Sequence, residues 1–171
     1  MLTTTISTAI GRVRAVADKV SFMGPTLARL TVGVVFMGTG WGKLHSLADV
    51  TTFFTTLGIP FPGFNARLTA CTEFFGGLLI LLGLGTRLVA LPLAFTMVVA
   101  ILTAKRADID GLSTLLGFEE WSYLVLFVWI ALAGAGPLSL DALIGRLRKR
   151  RGASVPKPLL NQRPGADQKR S

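Results

Sequence analysis

The chain has 171 residues, a 51% hydrophobic share, a mean hydropathy of +0.59 and a formal net charge of +9. The length suits one domain, and the composition is too apolar for an ordinary soluble protein, with the charges kept out of the long apolar runs. A single cysteine, Cys71, and a single histidine, His45, exclude an intramolecular disulfide, an intrachain CxxC pair, a four-cysteine cluster and a bis-His haem site within one chain.

Residues 6–20 place Ile6, Ile10, Val13, Ala17 and Val20 at helical spacing against Arg12, Arg14 and Lys19. This reads as a cationic N-terminal segment, 1–24, lying on the membrane surface, with a frayed polar terminus as the open alternative. It lacks the continuous apolar core of a secretory signal peptide. A first span is expected over 26–44, with Pro25 suited to its first turn. Its uncharged centre, Leu30 to Gly42, covers only ~20 Å at 1.5 Å per residue, so Arg29 and Lys43 must lie near the two boundaries of the hydrocarbon. Positions 29, 33, 36, 40 and 43 share one face, which sets Gly33 and Gly40 between the two cations, while Gly38 and Gly42 form a GxxxG on an adjoining face. Small residues let helices approach closely in lipid, so the first stripe is expected to face the bundle.

Leu47, Val50, Phe54 and Leu57 make a short interfacial helix, ended by the turn-rich Gly58-Ile59-Pro60-Phe61-Pro62-Gly63. The second span is expected over 66–84, with a small face of Ala66, Thr69, Ala70, Glu73, Gly76 and Gly77. A third, 87–104, follows after a few residues and so forms an antiparallel hairpin with it. Residues 105–120 are polar. The fourth span, 121–136, opens with Trp121 and Tyr123 at headgroup level and stops at Pro137. A second cationic interfacial helix carries Leu140, Leu143, Ile144 and Leu147 with Arg146, Arg148 and Lys149, and 151–171 reads as a basic disordered tail. The fold class is therefore all-α integral membrane: a four-transmembrane-helix bundle, 25–150, with interfacial amphipathic helices.

Four spans put both ends on one side. Fourteen of the 18 Lys and Arg fall there, against Lys43, Arg67, Lys105 and Arg106 on the other, so both termini are expected in the cytoplasm of a cell inner or plasma membrane. The basic ends are expected to hold anionic lipid on that face, and no nucleic-acid partner is expected.

Glu73 would cost several kcal/mol if left in hydrocarbon, about 3 on insertion scales, so it must be compensated. Lys43 approaches from the neighbouring helix, and its side chain leans back toward the N-terminus of that helix, down to Glu73. The pair either fixes helix register alone or lines a polar pocket for a small ligand or proton. Arg29, His45 and Trp41 complete the candidate ligand or proton site, and Phe74, Phe75 and Trp129 are further candidates for its walls. Cys71, two residues from Glu73, faces away from it as a structural thiol. One histidine without a thiolate cluster makes no metal site.

The stretches Leu27-Ala28-Arg29-Leu30 with Gly33, Gly38-Thr39-Gly40-Trp41-Gly42-Lys43-Leu44, and Glu73-Phe74-Phe75-Gly76-Gly77 running on to Gly85-Thr86-Arg87 combine into a recognisable pattern. With Glu120-Trp121-Ser122-Tyr123 and Gly136-Pro137-Leu138-Ser139-Leu140-Asp141, the chain resembles the DoxX family of four-helix membrane proteins over about residues 25–145. The resemblance implies association with quinone-dependent oxidoreductase systems, such as thiosulfate:quinone oxidoreductase, or with membrane complexes handling thiol oxidative stress. Some members carry a histidine after the third span, whereas this chain reads Ala104-Lys105-Arg106-Ala107-Asp108 there.

Three readings follow. The first is a membrane subunit of an oxidoreductase system that contacts a quinone near Glu73 and Lys43, with electrons supplied by a membrane or peripheral protein partner or a bound organic cofactor. The second is a scaffold or assembly factor whose small-residue faces bind other membrane helices, or a second copy of the chain in a homo-oligomer. The third is a small proton-coupled transporter. No residue pattern assigns a catalytic role.

Overall fold

A computed structural model describes residues 11, 14–15 and 17–153, and these are helical or in turns throughout. The helices are α1 (Met23–His45), α2 (Leu47–Thr56), α3 (Pro62–Leu82), α4 (Thr86–Thr103), α5 (Leu112–Gly117), α6 (Glu119–Ala133) and α7 (Leu140–Ala153), with a 3-10 turn at Arg106–Asp108. Most of the expected N-terminal surface helix, and the tail from residue 154 onward, lie outside the described residues.

Local chemistry sets the boundaries. Pro62 lacks the N–H that a first helical residue leaves unpaired anyway, so α3 begins four residues earlier than expected. It ends at Gly83, whose φ of +71° closes the helix with Gly83 N–H donating to the Ile80 carbonyl and Leu84 N–H to the Leu79 carbonyl. α6 starts at Glu119, with two carboxylates in its first turn where the helix dipole favours them, and it stops at Ala133, three residues before the expected end. The polar stretch 105–120 contains the 3-10 turn and α5, which are too short to show a period in sequence. α7 continues to Ala153, so the first three residues of the expected disordered tail are helical. Tyr123 differs from its expected headgroup position: it packs edge-on against Phe36 with ring centroids 5.2 Å apart.

Two helical stretches, Ala17–His45 and α4, are long and apolar enough to cross a membrane. α3 has 21 residues but carries Arg67 and Glu73, and α6 has 15 residues, or ~22 Å of rise.

α1 and α3 run antiparallel with their backbones in contact. A Cβ at Gly33 would meet Leu81, one at Gly40 would meet the backbone of Phe74, and one at Gly77 would meet the backbone of Met37 and Phe36. α4 packs mainly against α6. The two pairs share a core of Val32 and Phe36 from α1, Ile80 from α3, Leu93 and Met97 from α4, and Phe127 and Ile130 from α6. Phe36 and Phe127 meet edge to face at 4.7 Å, a favoured aromatic geometry. Gly38 and Gly42, the GxxxG pair of the adjoining face, have nothing within 4 Å of a built Cβ.

These glycines should separate cleanly on substitution. Gly40→Ala forces a methyl into rigid backbone and should lower stability by about 1–3 kcal/mol. Gly38→Ala should stay within about 0.5 kcal/mol of the parent. Thermal unfolding of the purified protein in detergent measures both, and equal losses would mean that α1 and α3 do not touch at Gly40.

Candidate functional site

The close α1–α3 contact carries the site. Gly40 lies against Glu73 and Phe74, so Lys43, one turn further along α1, reaches across to Glu73 of α3. Lys43 Nζ donates to Glu73 Oε1 at 2.5 Å. Glu73 is only 2% exposed, whereas the Lys43 side chain keeps 34% of its surface. The carboxylate is thus sunk in the helix contact and the ammonium tethers it from the wetter end. The other carboxylate oxygen, Oε2, is buried and has no hydrogen-bond partner among the described residues.

Glu73 and Lys43 line a cavity of about 820 Å³. Its walls come from Val50, Phe53 and Phe54 of α2, Leu68, Thr69 and Thr72 of α3, and Pro92, Phe95, Thr96 and Thr103 of α4. Pro92 lies inside α4, where its ring cannot donate to the Leu88 carbonyl. Phe53, Leu68 and Phe95 are each more than half exposed, so the cavity opens sideways between α2, α3 and α4. Lys105 and Glu120, whose charged groups lie 3.9 Å apart, close its upper rim and tie the end of α4 to the start of α6. The volume is that of a small-molecule site: mostly apolar walls with a few polar groups.

Of the five candidates read from sequence, the structure brings together Lys43 and Glu73. Trp41 and His45 lie outside the cavity, where their rings stack at 4.2 Å and His45 Nδ1 is 2.9 Å from the Trp41 carbonyl oxygen. Trp41 also contacts Phe74 at 5.6 Å, and none of Trp41, Phe74, Phe75 and Trp129 lines the cavity. Arg29 is 4% exposed at the opposite end of the bundle. Its Nη1 donates to the Ala135 carbonyl at 3.3 Å and its Nη2 to the Leu138 carbonyl at 2.7 Å. Nearby, Asp141 ties α7 to the α3–α4 turn: its N–H donates to the Gly83 carbonyl, and its Oδ1 accepts from Gly85 N–H at 3.1 Å. Arg29 therefore fastens the loop after α6 and has no part in the cavity.

Sequence reasoning missed Lys105, Glu120 and the threonines of α4. Thr96 and Thr103 recur seven residues apart in an otherwise apolar helix, a two-turn spacing that marks one polar line. Among the described residues no three His, Cys, Asp or Glu side chains come together to hold a metal ion. Cys71 is a free, half-buried thiol.

Large apolar side chains facing outward, with a lysine–carboxylate pair held inside, define a helical membrane protein. The chain belongs to the DoxX family, whose family model matches residues 24–106, from α1 through the 3-10 turn. It is 31% identical over 135 residues to the protein named "Putative oxidoreductase CatD" of Bacillus subtilis (strain 168), covering 78% of this chain and 96% of that one. It is 32% identical over 129 residues to the inner membrane protein YqjF of Escherichia coli (strain K12), covering 75% and 97%. A membrane protein of Mycobacterium tuberculosis (strain ATCC 25618 / H37Rv), Rv3486, is 35% identical over 133 residues, covering 71% and 80%. No solved structure matches the chain.

Removing one member of the pair should cost more than removing both. Lys43→Met leaves an uncompensated buried carboxylate and should lower stability by about 2–3 kcal/mol, less than for a fully dry pair because Lys43 is partly wetted. The double variant Lys43→Met/Glu73→Leu should recover most of that loss. Unfolding of the four proteins in one detergent closes the cycle, and additive losses would mean the two charges do not interact.

Proposed function

We propose that this protein is a multi-pass inner-membrane protein that serves an oxidoreductase system by holding a quinone-class molecule in the cavity beside Lys43 and Glu73. The observation that carries this reading is the largely apolar cavity of about 820 Å³, lined by both members of the Lys43–Glu73 ion pair and large enough for a ring and part of a tail. A ring oxygen in the cavity would meet the charged donor Lys43, held in place by Glu73, while the ring itself rests on Phe54, Met97 and Phe95. When bound, such a group supplies the electron chemistry; the chain supplies position, a dry wall and a carboxylate able to take a proton. The name of the Bacillus subtilis relative supports the oxidoreductase association.

Outward apolar side chains on all four long helices support four crossings: Leu27 and Val34 on α1, Leu68 and Phe75 on α3, Leu88 and Phe95 on α4, and Val125 and Leu132 on α6 are each at least half exposed. Such a belt in water would be a large apolar patch. Exposed Arg146, Arg148 and Lys149 on α7 then mark the cytoplasmic face, where they attract anionic lipid. A second reading, a scaffold for other membrane proteins or for a second copy, is favoured by one observation. Gly38 and Gly42 of α1 form a small-residue face, open to solvent, beside the exposed Val34 and Trp41.

Topology is checked with single cysteines in a Cys71→Ser background. A membrane-impermeant maleimide added to intact spheroplasts should label Ile59→Cys and spare Lys149→Cys; the reverse pattern would invert the bundle. For the ligand, purified full-length protein should bind a short-tailed benzoquinone/benzohydroquinone mixture saturably. Filling the cavity with Thr72→Trp should weaken binding by at least ~10-fold. Retained binding in that variant, with co-purification of a membrane protein instead, would favour the scaffold.

A further inference from the structure

We infer that the end of the bundle that holds Arg29 carries a second site, a cleft between Arg87 and Asp141 that takes the headgroup of a zwitterionic phospholipid with a free primary ammonium, as in phosphatidylethanolamine. The site lies at the other end of the bundle from the ligand cavity and rests only on the outward apolar belt described above.

A cleft of about 410 Å³ lies where the α3–α4 turn, the loop after α6 and the start of α7 meet. Its wall holds one cation, Arg87, and one acid, Asp141, and the contacts of both side chains place the charged groups themselves there. The Arg87 guanidinium lies on Gly134, where a built Cβ would stand 2.9 Å from Nε, and Nη2 donates to the Ala133 carbonyl at 3.5 Å. Ala133 and Gly134 both line the cleft, as does Gly85, whose N–H donates to Asp141 Oδ1 at 3.1 Å. Among the described residues the ion pairs are Lys43–Glu73 and Lys105–Glu120, so Arg87 and Asp141 do not neutralise each other. Each has capacity to spare, because a guanidinium offers five donors and a carboxylate about four acceptor positions. Neutral polar groups of the wall are already engaged. Ser139 Oγ donates to the Gly136 carbonyl and accepts from Ala142 N–H, and the Ala135 carbonyl takes Arg29. Unpaired charges of opposite sign on one wall match a ligand that carries both signs on a short linker. The planar fork of Arg87 suits phosphate oxygens, and a primary ammonium brings three N–H donors to Asp141. An anionic headgroup without the ammonium meets Arg87 but sets like charge against Asp141. A choline headgroup keeps the positive charge and has no N–H to donate. Leu88 of the wall, and Leu132 and Leu138 beside it in the chain, are each more than half exposed, so acyl chains have an apolar surface next to the charges. That surface makes the occupant a lipid and not a free headgroup.

The test is native mass spectrometry of the delipidated full chain in detergent, titrated with phosphatidylethanolamine, phosphatidylcholine and phosphatidylglycerol of identical acyl chains. The charge-assisted bond to Asp141 should make the ethanolamine lipid at least ~5-fold tighter than either of the others. In Asp141→Asn, whose amide oxygen can still accept from Gly85 N–H, the ethanolamine and choline lipids should fall within ~2-fold of each other. Arg87→Gln should weaken the ethanolamine lipid at least ~5-fold, whereas Arg146→Gln, on the exposed surface of α7, should leave its binding within ~2-fold of the parent. Glycerophosphoethanolamine, the headgroup without chains, should not compete at the same concentrations. Near-equal binding of the three lipids by the parent, or tightest binding of the glycerol lipid, overturns the inference. So does ethanolamine-lipid binding that withstands Arg87→Gln, a preference that survives Asp141→Asn, or competition by the free headgroup. If Asp141→Asn does not fold, the lipid series on the parent with Arg87→Gln and Arg146→Gln decides. Each of these outcomes leaves the cavity beside Lys43 and Glu73 untouched.

Discussion

Two helix backbones that touch through glycine hold the site together. Every heavy side chain removed from the α1–α3 contact brings the axes closer, and at Gly40 the approach leaves no room for a Cβ against Phe74. Only at that distance can Lys43 span from α1 to a carboxylate on α3. The same closeness dries Glu73 to 2% exposure, so the glycines both expose the acid to risk and deliver its compensation. Separate the helices by the width of a methyl group, and the ammonium no longer reaches an oxygen buried on the far side of the contact. Ion pair and glycine seam are thus one interaction viewed at two heights along α1.

Much of this was legible in the sequence for a simple reason. The 4-3-4-3 spacing of Arg29, Gly33, Phe36, Gly40 and Lys43 marks one face of a helix, and Ala66, Ala70, Glu73 and Gly77 mark the other, so the two faces announce each other. An acid in an apolar helix must find a cation, and Lys43 was the one whose side-chain direction allowed it. What could not be read was the cavity beside the ion pair. That depends on where α2 folds back and on how far α4 stands from α3, which are long-range matters without a local periodic signal. Aromatic residues misled for the opposite reason. Trp41 and Phe74 are near Glu73 in sequence or in space, but a helix turns neighbours on the chain to different faces, and they pack together outside the cavity.

The two ends of the bundle treat a buried charge differently. At the lower end Arg29 has no carboxylate beside it and relies on the carbonyls of Ala135 and Leu138, which the chain exposes because α6 stops and the backbone turns through Gly134 and Gly136 at positive φ. The two carbonyls take Nη1 and Nη2, while Nε is buried without a hydrogen-bond partner among the described residues. At the upper end a carboxylate meets a single ammonium, and its second oxygen is buried without a hydrogen-bond partner among the described residues.

What separates the two ends is the cavity, which Lys43 and Glu73 line and Arg29 does not. Beside the pair, residues of α2, Pro92 and the α4 threonines line a cavity where α3 and α4 part. Apolar helices in contact tend to close such spaces, because each unfilled volume forfeits dispersion contacts. A largely apolar cavity with a lysine–carboxylate pair at its side is the arrangement that the proposed ring-bearing ligand, apolar with a polar edge, would fit.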